Sequence, residues 1–90
     1  MTFEIIWDTD ARKFLRKLNR KIALRIVRKV DFISVDNPQD YLEPVKQTNS
    51  YKLRVGDYRV IIDIDRENEI LFVLLVDHRK RIYKRLFRII

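Results

Sequence analysis

The chain has 90 residues, in which 20 Lys and Arg outnumber 13 Asp and Glu, giving a net charge of +7 at neutral pH. This length supports one small hydrophobic core, and the cationic excess favours polyanionic partners such as nucleic acid. The sequence has no cysteine, which excludes disulfides and thiolate metal sites, and no apolar run approaches the ~20 residues of a membrane span. We therefore expect one cytoplasmic domain over residues 1–90, with no membrane attachment and no cofactor.

The N-terminal part of the chain predicts a strand followed by two short helices. Residues 2–7 are rich in β-branched and aromatic side chains, which is typical of a strand. Asp8 or Thr9 then caps a helix, because apolar residues recur there at positions i, i+3, i+4 and i+7. A second periodic run begins after Asn19 and ends at the breaker Asp36-Asn37-Pro38. Together the two helices form a helical hairpin.

The middle of the chain predicts a loop and then three strands. Residues 36–50 contain both prolines and little periodicity, so they are interpreted as a surface loop held to the core by Tyr41, Leu42 and Val45. The three strands are predicted over residues 51–55, 58–65 and 69–76. Since the last of them is apolar on both faces, it is expected to be a central strand that is covered on both sides.

The C-terminal segment, residues 79–90, resumes helical spacing at Ile82, Leu86 and Ile89. The predicted order is therefore β-α-α-β-β-β with a short C-terminal helix. This order indicates an α+β fold, in which the helical hairpin packs on one face of a four-stranded, mostly antiparallel sheet.

The turn Gly56-Asp57 fixes how the first two of these strands pair. A two-residue loop that begins with glycine suits a type II′ turn, and counting outward from it places Arg54 opposite Arg59. Alternation then puts Lys52 on the same face as both arginines, away from the helices. Like charges directly opposite one another cost up to about 1 kcal/mol, so either water and nearby carboxylates screen them or a phosphate ligand supplies the missing charge.

A second cluster of polar residues follows the last strand, where the chain reads V-D-H-R-K-R-I-Y-K. An antiparallel strand delivers this segment to the Arg59 end of its neighbour. We therefore expect a concave basic surface that contains both an imidazole and a phenol. The segment contributes to this surface His78, Arg79, Lys80, Arg81 and Tyr83.

The element order, the stretch Y-K-L-R-V-G-D-Y-R-V-I and the ending L-L-V-D-H-R-K-R-I-Y-K resemble the RelE/ParE toxin superfamily, and specifically its RelE branch. The resemblance covers nearly the whole chain. It implies a RelE-like fold and a small basic toxin that enters the ribosomal A site and cuts mRNA there. It also implies a cognate acidic RelB-like antitoxin, which binds the toxin through an amphipathic helix in a toxin–antitoxin heterotetramer.

The resemblance also implies which residues carry the activity, and it marks two departures from the family pattern. Many members have Gly where this chain has Asp77, whose carboxylate is expected to pair with Arg79 or to repel a phosphate. Many also have a Leu-x-Gly turn where this chain reads V-K-Q-T-N-S. A basic residue that precedes the strand in relatives matches Lys46 loosely. The catalytic positions carried over by motif are Lys52, Arg54, Arg59, Arg79 and Tyr83.

RNA cleavage by this set needs no metal, because the 2′-hydroxyl of RNA is the nucleophile. The cations of the hairpin suit the stabilisation of negative charge at phosphorus, which is usually the largest single contribution. Tyr83 is the candidate base, with Arg79 four residues earlier to support it, since nearby cations favour a phenolate. His78 is either a further acid or base or an ordinary surface histidine.

The basic face of the first helix carries Arg12, Lys13, Arg16 and Lys17. It is either a surface that grips RNA phosphates without reading sequence or a plain solvated face. Lys46, His78, Lys80 and Arg81 are further candidates for RNA binding. Two other functions stay open, namely a ParE-like inhibitor of DNA gyrase, which needs no general base, and an idle RNA-binding remnant of a toxin.

Overall fold

The computed structural model describes residues 2–89, so Met1 and Ile90, the ends of the predicted domain, lie outside the described residues. The order is β-α-α-β-β-β-β-α, with a 3-10 turn at Pro38–Asp40 between the second helix and the second strand. The bounds are β1 Glu4–Trp7, α1 Thr9–Lys17, α2 Arg20–Val35, β2 Glu43–Pro44, β3 Tyr51–Val55, β4 Tyr58–Asp65, β5 Ile70–His78 and α3 Ile82–Ile89. Within residues 2–89, no helix is long and apolar enough to cross a bilayer.

The sheet has the strand order β1-β5-β4-β3-β2, with β1 parallel to β5 and every other pair antiparallel. The predicted α+β class is confirmed, but the predicted count of four strands is wrong by one. The additional strand, β2, lies inside the segment interpreted as a loop, where Glu43 pairs with Lys52 and Pro44 with Tyr51. A strand of two residues is too short to show an alternation of apolar and polar side chains in the sequence. Pro44 is tolerated there because β2 is an edge strand.

The helical hairpin packs on one face of the sheet, as predicted, and encloses what we call the first core. Asp8 caps α1 by accepting a hydrogen bond from the Asp10 amide at 3.2 Å, and Asn19 caps α2 by accepting one from Lys21 at 2.9 Å. The predicted attachment of the loop is also observed, since Leu42 is buried in this core. Its buried side chains are Ala11, Ile26, Val30, Ile33, Leu42, Leu53, Val55, Val60, Ile62, Leu71, Val73 and Val76.

The opposite face of the sheet carries α3 over a smaller cluster, which we call the second core. Ile82 and Leu86 of α3 are fully buried there against Val45, Ile61 and Leu75. This packing explains why β5 is apolar on both faces, because each face of the strand meets a different core. The sheet therefore separates two hydrophobic layers, and α3 is the one helix of the described part of the chain that covers the second.

A β-bulge interrupts the pairing of β4 with β5. Ile61 pairs with Leu75 but the next residue, Ile62, pairs with Val73, so β5 holds one extra residue, Leu74. Leu74 and Leu75 both pack toward the second core, as expected when a bulged strand turns two neighbouring side chains to one face.

The β3–β4 turn favours glycine at position 56, because the φ of Gly56 is +59° and residues with a Cβ rarely adopt a positive φ. Asp57 has no positive φ. A Cβ at position 56 would lie 3.3 Å from Nη1 of Arg25. We expect Gly56→Ala to lower the free energy of unfolding by about 1–3 kcal/mol, measured by urea denaturation. Asp57→Ala, in the same turn, is the control and should change it by less than about 0.5 kcal/mol. Equal effects of the two substitutions would contradict this assignment of strain.

The β4–β5 turn contains a carboxylate that favours its charged form. Hydrogen bonds from the Asn68 side chain at 2.9 Å and from its backbone amide at 3.1 Å lower the pKa of Asp65. Because the folded-state pKa is lowered, the stabilisation is present above about pH 4 and is lost as pH falls through the lowered pKa. Asn68→Ala should raise the pKa of Asp65 in an NMR titration, and its stability deficit should shrink between pH 7 and pH 3. A deficit that grows on acidification would contradict the sign.

Candidate functional site

A phenol and an ammonium group meet on the face of the sheet that α3 covers. Lys52 reaches this face from β3, and its Nζ donates a hydrogen bond to the hydroxyl oxygen of Tyr83, on α3, at 3.0 Å. The same Nζ is 5.4 Å from the ring centroid, so the ammonium lies beyond the hydroxyl end of the ring, not above its face. Both side chains are half-buried, which leaves the pair accessible from solvent.

The Lys52–Tyr83 pair opens into a cleft of about 400 Å³ between β2, β3 and α3, which we call the Tyr83 cleft. Lys46, matched only loosely on sequence grounds, lines it and is exposed. Glu43 is the one carboxylate that residues 2–89 contribute to its lining. The complete lining is Glu43, Pro44, Val45, Lys46, Lys52, Tyr83 and Phe87.

The predicted pairing of the two hairpin arginines is confirmed, since Arg54 lies opposite Arg59. The two side chains nevertheless behave differently. Arg54 is exposed, whereas Arg59 is only 9% exposed and its Nη1 donates to the carbonyls of Gly56 at 2.9 Å and Tyr58 at 2.8 Å. The like-charge conflict is therefore relieved by carbonyl dipoles of the turn, and within residues 2–89 no carboxylate forms an ion pair with either guanidinium.

Arg79 lies beside the same turn, because its backbone amide donates to the carbonyl of Asp57 at 2.8 Å. Its side chain is exposed. The contact to the Tyr83 hydroxyl comes instead from Lys52, on a strand 31 residues earlier. The cation next to the Tyr83 hydroxyl is therefore Lys52 of the sheet, and not Arg79 as the sequence analysis predicted.

His78 does not join the phenol, so the predicted surface that contains both groups is wrong on this point. His78 pairs with Tyr58, and their rings meet edge to face at 5.6 Å. Because directly paired residues share a face, His78 lies on the helical-hairpin side with Tyr58, which packs against the first core. Tyr83 packs on the other side, against the second core.

The expectation that Asp77 pairs with Arg79 or repels a phosphate is wrong, because its carboxylate is already paired. Asp77 is 2% exposed and accepts from Arg81 Nε at 3.2 Å, from Arg85 Nη1 at 3.1 Å and from the His78 amide at 2.6 Å. Arg85 was missed at the sequence level. Helical spacing relates Arg85 to Arg81, but Asp77 lies in β5, so no local pattern in the sequence pairs it with Arg85.

The remaining candidates for RNA binding are exposed and spread over two faces. Lys80 and the four basic residues of α1, Arg12, Lys13, Arg16 and Lys17, are exposed, and the structure does not bring them into the Tyr83 cleft. A further basic groove of about 380 Å³, not foreseen as a group, joins Arg54 to Arg25, Arg28 and Lys29 of α2. Among residues 2–89, no set of three or more His, Asp or Glu side chains is arranged to hold a metal ion.

Comparisons with known proteins agree on the kind of molecule. The model of a family described as "ParE toxin of type II toxin-antitoxin system, parDE" matches residues 5–83. Toxin RelG of Mycobacterium tuberculosis is 31% identical over 90 residues, which cover 94% of this chain and 100% of RelG. The toxin in the RelBE2 toxin–antitoxin complex of Mycobacterium tuberculosis is 28% identical, with a TM-score of 0.81 over 88% of this chain and 93% of that one.

A more distant structure shares the fold along the entire chain. A mutant of Escherichia coli toxin RelE in the free state is 19% identical, with a TM-score of 0.77 and coverage of 100% of both chains. With the family match over most of the sequence and the RelG relationship, the chain belongs to the RelE/ParE superfamily of toxins from type II toxin–antitoxin systems.

Proposed function

We propose that this chain is a ribosome-dependent endoribonuclease that cleaves mRNA in the A site and thereby inhibits translation. The contact between Lys52 Nζ and the Tyr83 hydroxyl, at the mouth of a cleft on a basic face, is the observation that carries this proposal. A phenol held by a cation is a suitable group for proton transfer, and although the ring packs against the second core, the packing does not use the hydroxyl.

The chemistry begins with attack of the 2′-hydroxyl oxygen on the adjacent phosphorus. The new P–O2′ bond forms as the P–O5′ bond breaks, which leaves a 2′,3′-cyclic phosphate and a 5′-hydroxyl end. Tyr83 acts as a base in its phenolate form, which takes the proton from the 2′-hydroxyl and becomes a neutral phenol. Lys52 orients the ring and stabilises the phenolate before the transfer. The leaving 5′-oxygen gains its proton at the solvent-open cleft.

The arginines stabilise the extra negative charge on the phosphoryl oxygens during this step. Arg54 and Arg79 are both exposed near the β3–β4 turn, Arg54 at the edge of the groove that it forms with α2 and Arg79 beside Asp57. Among residues 2–89, the guanidinium of Arg59 donates hydrogen bonds only to backbone carbonyls. A phosphate is a stronger hydrogen-bond acceptor for a guanidinium than a neutral carbonyl is. RNA binding therefore draws Arg59 away from the turn, and the site is completed only when substrate arrives.

The ribosome supplies the substrate geometry that this open site lacks. An open cleft of about 400 Å³ does not by itself align a flexible RNA for in-line attack, and such alignment contributes several kcal/mol in enzymes. The exposed cations of α1, together with Lys80, bind ribosomal RNA phosphates and place the cleft over the A-site codon.

A cognate acidic, RelB-like antitoxin holds this toxin inactive, in a heterotetramer of two toxins and two antitoxins. The net charge of +7 favours an acidic partner. The RelBE2 complex of Mycobacterium tuberculosis and the RelE–RelB complex of Pyrococcus horikoshii are both structures of such toxins with their antitoxins.

The test is to induce the chain in cells and to map the 5′ ends of mRNA, with Arg79→Ala as the comparison. The wild type should arrest growth and produce ends in phase with A-site codons, and Arg79→Ala should reduce them strongly. Growth arrest without phased ends would refute the nuclease.

The matching family description, which names ParE, favours a second candidate, namely inhibition of DNA gyrase by binding. The combination of Lys52, Arg59, Arg79 and Tyr83 argues against it, because an inhibitor that only binds needs no such set. A supercoiling assay separates the two functions, since gyrase inhibition that persists in Tyr83→Phe, without mRNA cleavage by the wild type, would favour the ParE-like role. An idle remnant would show neither activity.

A further inference from the structure

We propose that Asp77 is a positioning residue that holds Tyr83 at Lys52 through two arginines of the α3 segment. We call Asp77, Arg81 and Arg85 the Asp77 clasp. The inference rests on the proposed function for its catalytic consequence, but the geometry it assigns is a property of the free protein. It concerns a carboxylate that the proposed reaction does not use.

The clasp joins the end of β5 to the first turn of α3. Arg81 begins that turn, because its carbonyl accepts a hydrogen bond from the Arg85 amide at 3.1 Å. The guanidinium of Arg85 also donates to the carbonyl of Val76 at 3.1 Å and lies 5.6 Å from the ring of Phe14, on α1. One side of α3 is thus tied to β5 and to the helical hairpin.

Three parallel rows of side chains run along α3, because each residue advances about 100° around a helix. Arg81 and Arg85 form the clasp row. Ile82 and Leu86 form the row that is buried in the second core, and Tyr83 and Phe87 form the row that lines the Tyr83 cleft. The clasp and the phenol therefore flank the buried row on opposite sides.

The buried row alone does not fix the rotation of α3 about its own axis. Ile82 and Leu86 lie one above the other, whereas Phe87 and Ile89 are 47% and 60% exposed. A roll of roughly 20° at a helix radius of about 6 Å moves a side chain by about 2 Å. Such a roll would break the hydrogen bond between Lys52 Nζ and the Tyr83 hydroxyl oxygen, which are 3.0 Å apart.

The clasp resists this roll because the carboxylate is buried and must stay paired. The Asp77 side chain is 3% exposed, whereas those of Arg81 and Arg85 are 66% and 32% exposed. A buried charge that loses its partner is strongly disfavoured, so the arginines are held to Asp77. The clasp therefore fixes which part of α3 faces the Tyr83 cleft.

The test compares Arg85→Gln with Arg88→Gln, which removes the same charge from an exposed position of the same helix. In the free protein, NMR of labelled Tyr83 and Lys52 should show their contact weakened in Arg85→Gln and retained in Arg88→Gln. On programmed ribosomes, Arg85→Gln should lower kcat about 10- to 100-fold with KM unchanged, as expected for a misplaced catalytic group.

The double variant D77N/R85Q should be no worse than the more affected single variant, since residues of one network are not additive. A Tyr83–Lys52 contact that persists in Arg85→Gln would overturn the inference, as would an equal loss of kcat in Arg88→Gln. If wild type does not cleave mRNA on ribosomes, the proposed function fails and the NMR comparison still decides the clasp.

Discussion

Tyr83→Phe should lower the single-turnover rate of mRNA cleavage on programmed ribosomes by about 10²- to 10⁴-fold, the usual contribution of a general base. The substitution deletes one oxygen and keeps the ring. Since Tyr83 is half-buried and, among residues 2–89, its hydroxyl forms a hydrogen bond only with the flexible end of Lys52, the fold should lose little stability. Quench-flow measurement with the toxin in saturating excess over the ribosome–mRNA complex separates the chemical step from binding to the ribosome.

Tyr51→Phe is the matched control, because Tyr51 is half-buried like Tyr83 but lies in β3 and packs against the first core. It should leave the cleavage rate at the wild-type level. Equal rates for Tyr83→Phe and wild type would remove Tyr83 from the mechanism. An intact rate with Tyr83→Phe but a slow rate with Arg54→Ala would leave charge stabilisation as the main catalytic effect.

Leu86→Ala should lower the free energy of unfolding by about 2–5 kcal/mol, because it truncates a fully buried leucine of α3. Leu86 is 0% exposed in the second core, and within residues 2–89 α3 is the only helix that covers this layer. We expect the loss to appear first as detachment of α3, because the first core lies beyond the sheet. Hydrogen exchange by NMR should therefore show faster exchange of α3 amides than of β4 amides.

Ile89→Ala, at a position that is 60% exposed in the same helix, should change stability by less than about 0.5 kcal/mol. Mass spectrometry of exchanged peptides measures both variants under one condition. If Leu86→Ala lowers the protection of β4 and α3 equally, the two cores unfold as one unit and the separation described above is wrong.

Much of the architecture follows from local sequence signals. The bounds of β3 and β4 agree with the prediction, because strand-forming residues flank the turn at Gly56 and Asp57. The convergence of Lys52 and Tyr83 on one face follows from strand alternation and from the antiparallel order, although the contact itself joins residues 31 positions apart. Local sequence rules are enough to predict β3 and β4, because these two strands pair regularly up to their common turn.

The parts that sequence reasoning missed depend on long-range geometry. The two residues of β2 form a strand only because β3 offers them an edge. The guanidinium of Arg59 turns back onto its own hairpin, a choice among rotamers that no residue pattern encodes. The partners of Asp77 were missed because the composition of the segment highlights Arg79, whereas the depth of Asp77 beneath α3 selects Arg81 and Arg85.

The extra residue in β5 determines which face of the sheet each later side chain of that strand points to. Suppose that the strand had no bulge and that Leu74 were paired with Ile61. The regular pairing that starts at Ile62 and Val73 would then place Val76 opposite Arg59 and Asp77 opposite Tyr58. The carboxylate would then face the helical hairpin, out of reach of α3, and the imidazole would turn toward the phenol. The bulge in this strand is therefore as much a determinant of the site as the identity of its residues, because the same sequence paired without the bulge would exchange the environments of an acid and a base.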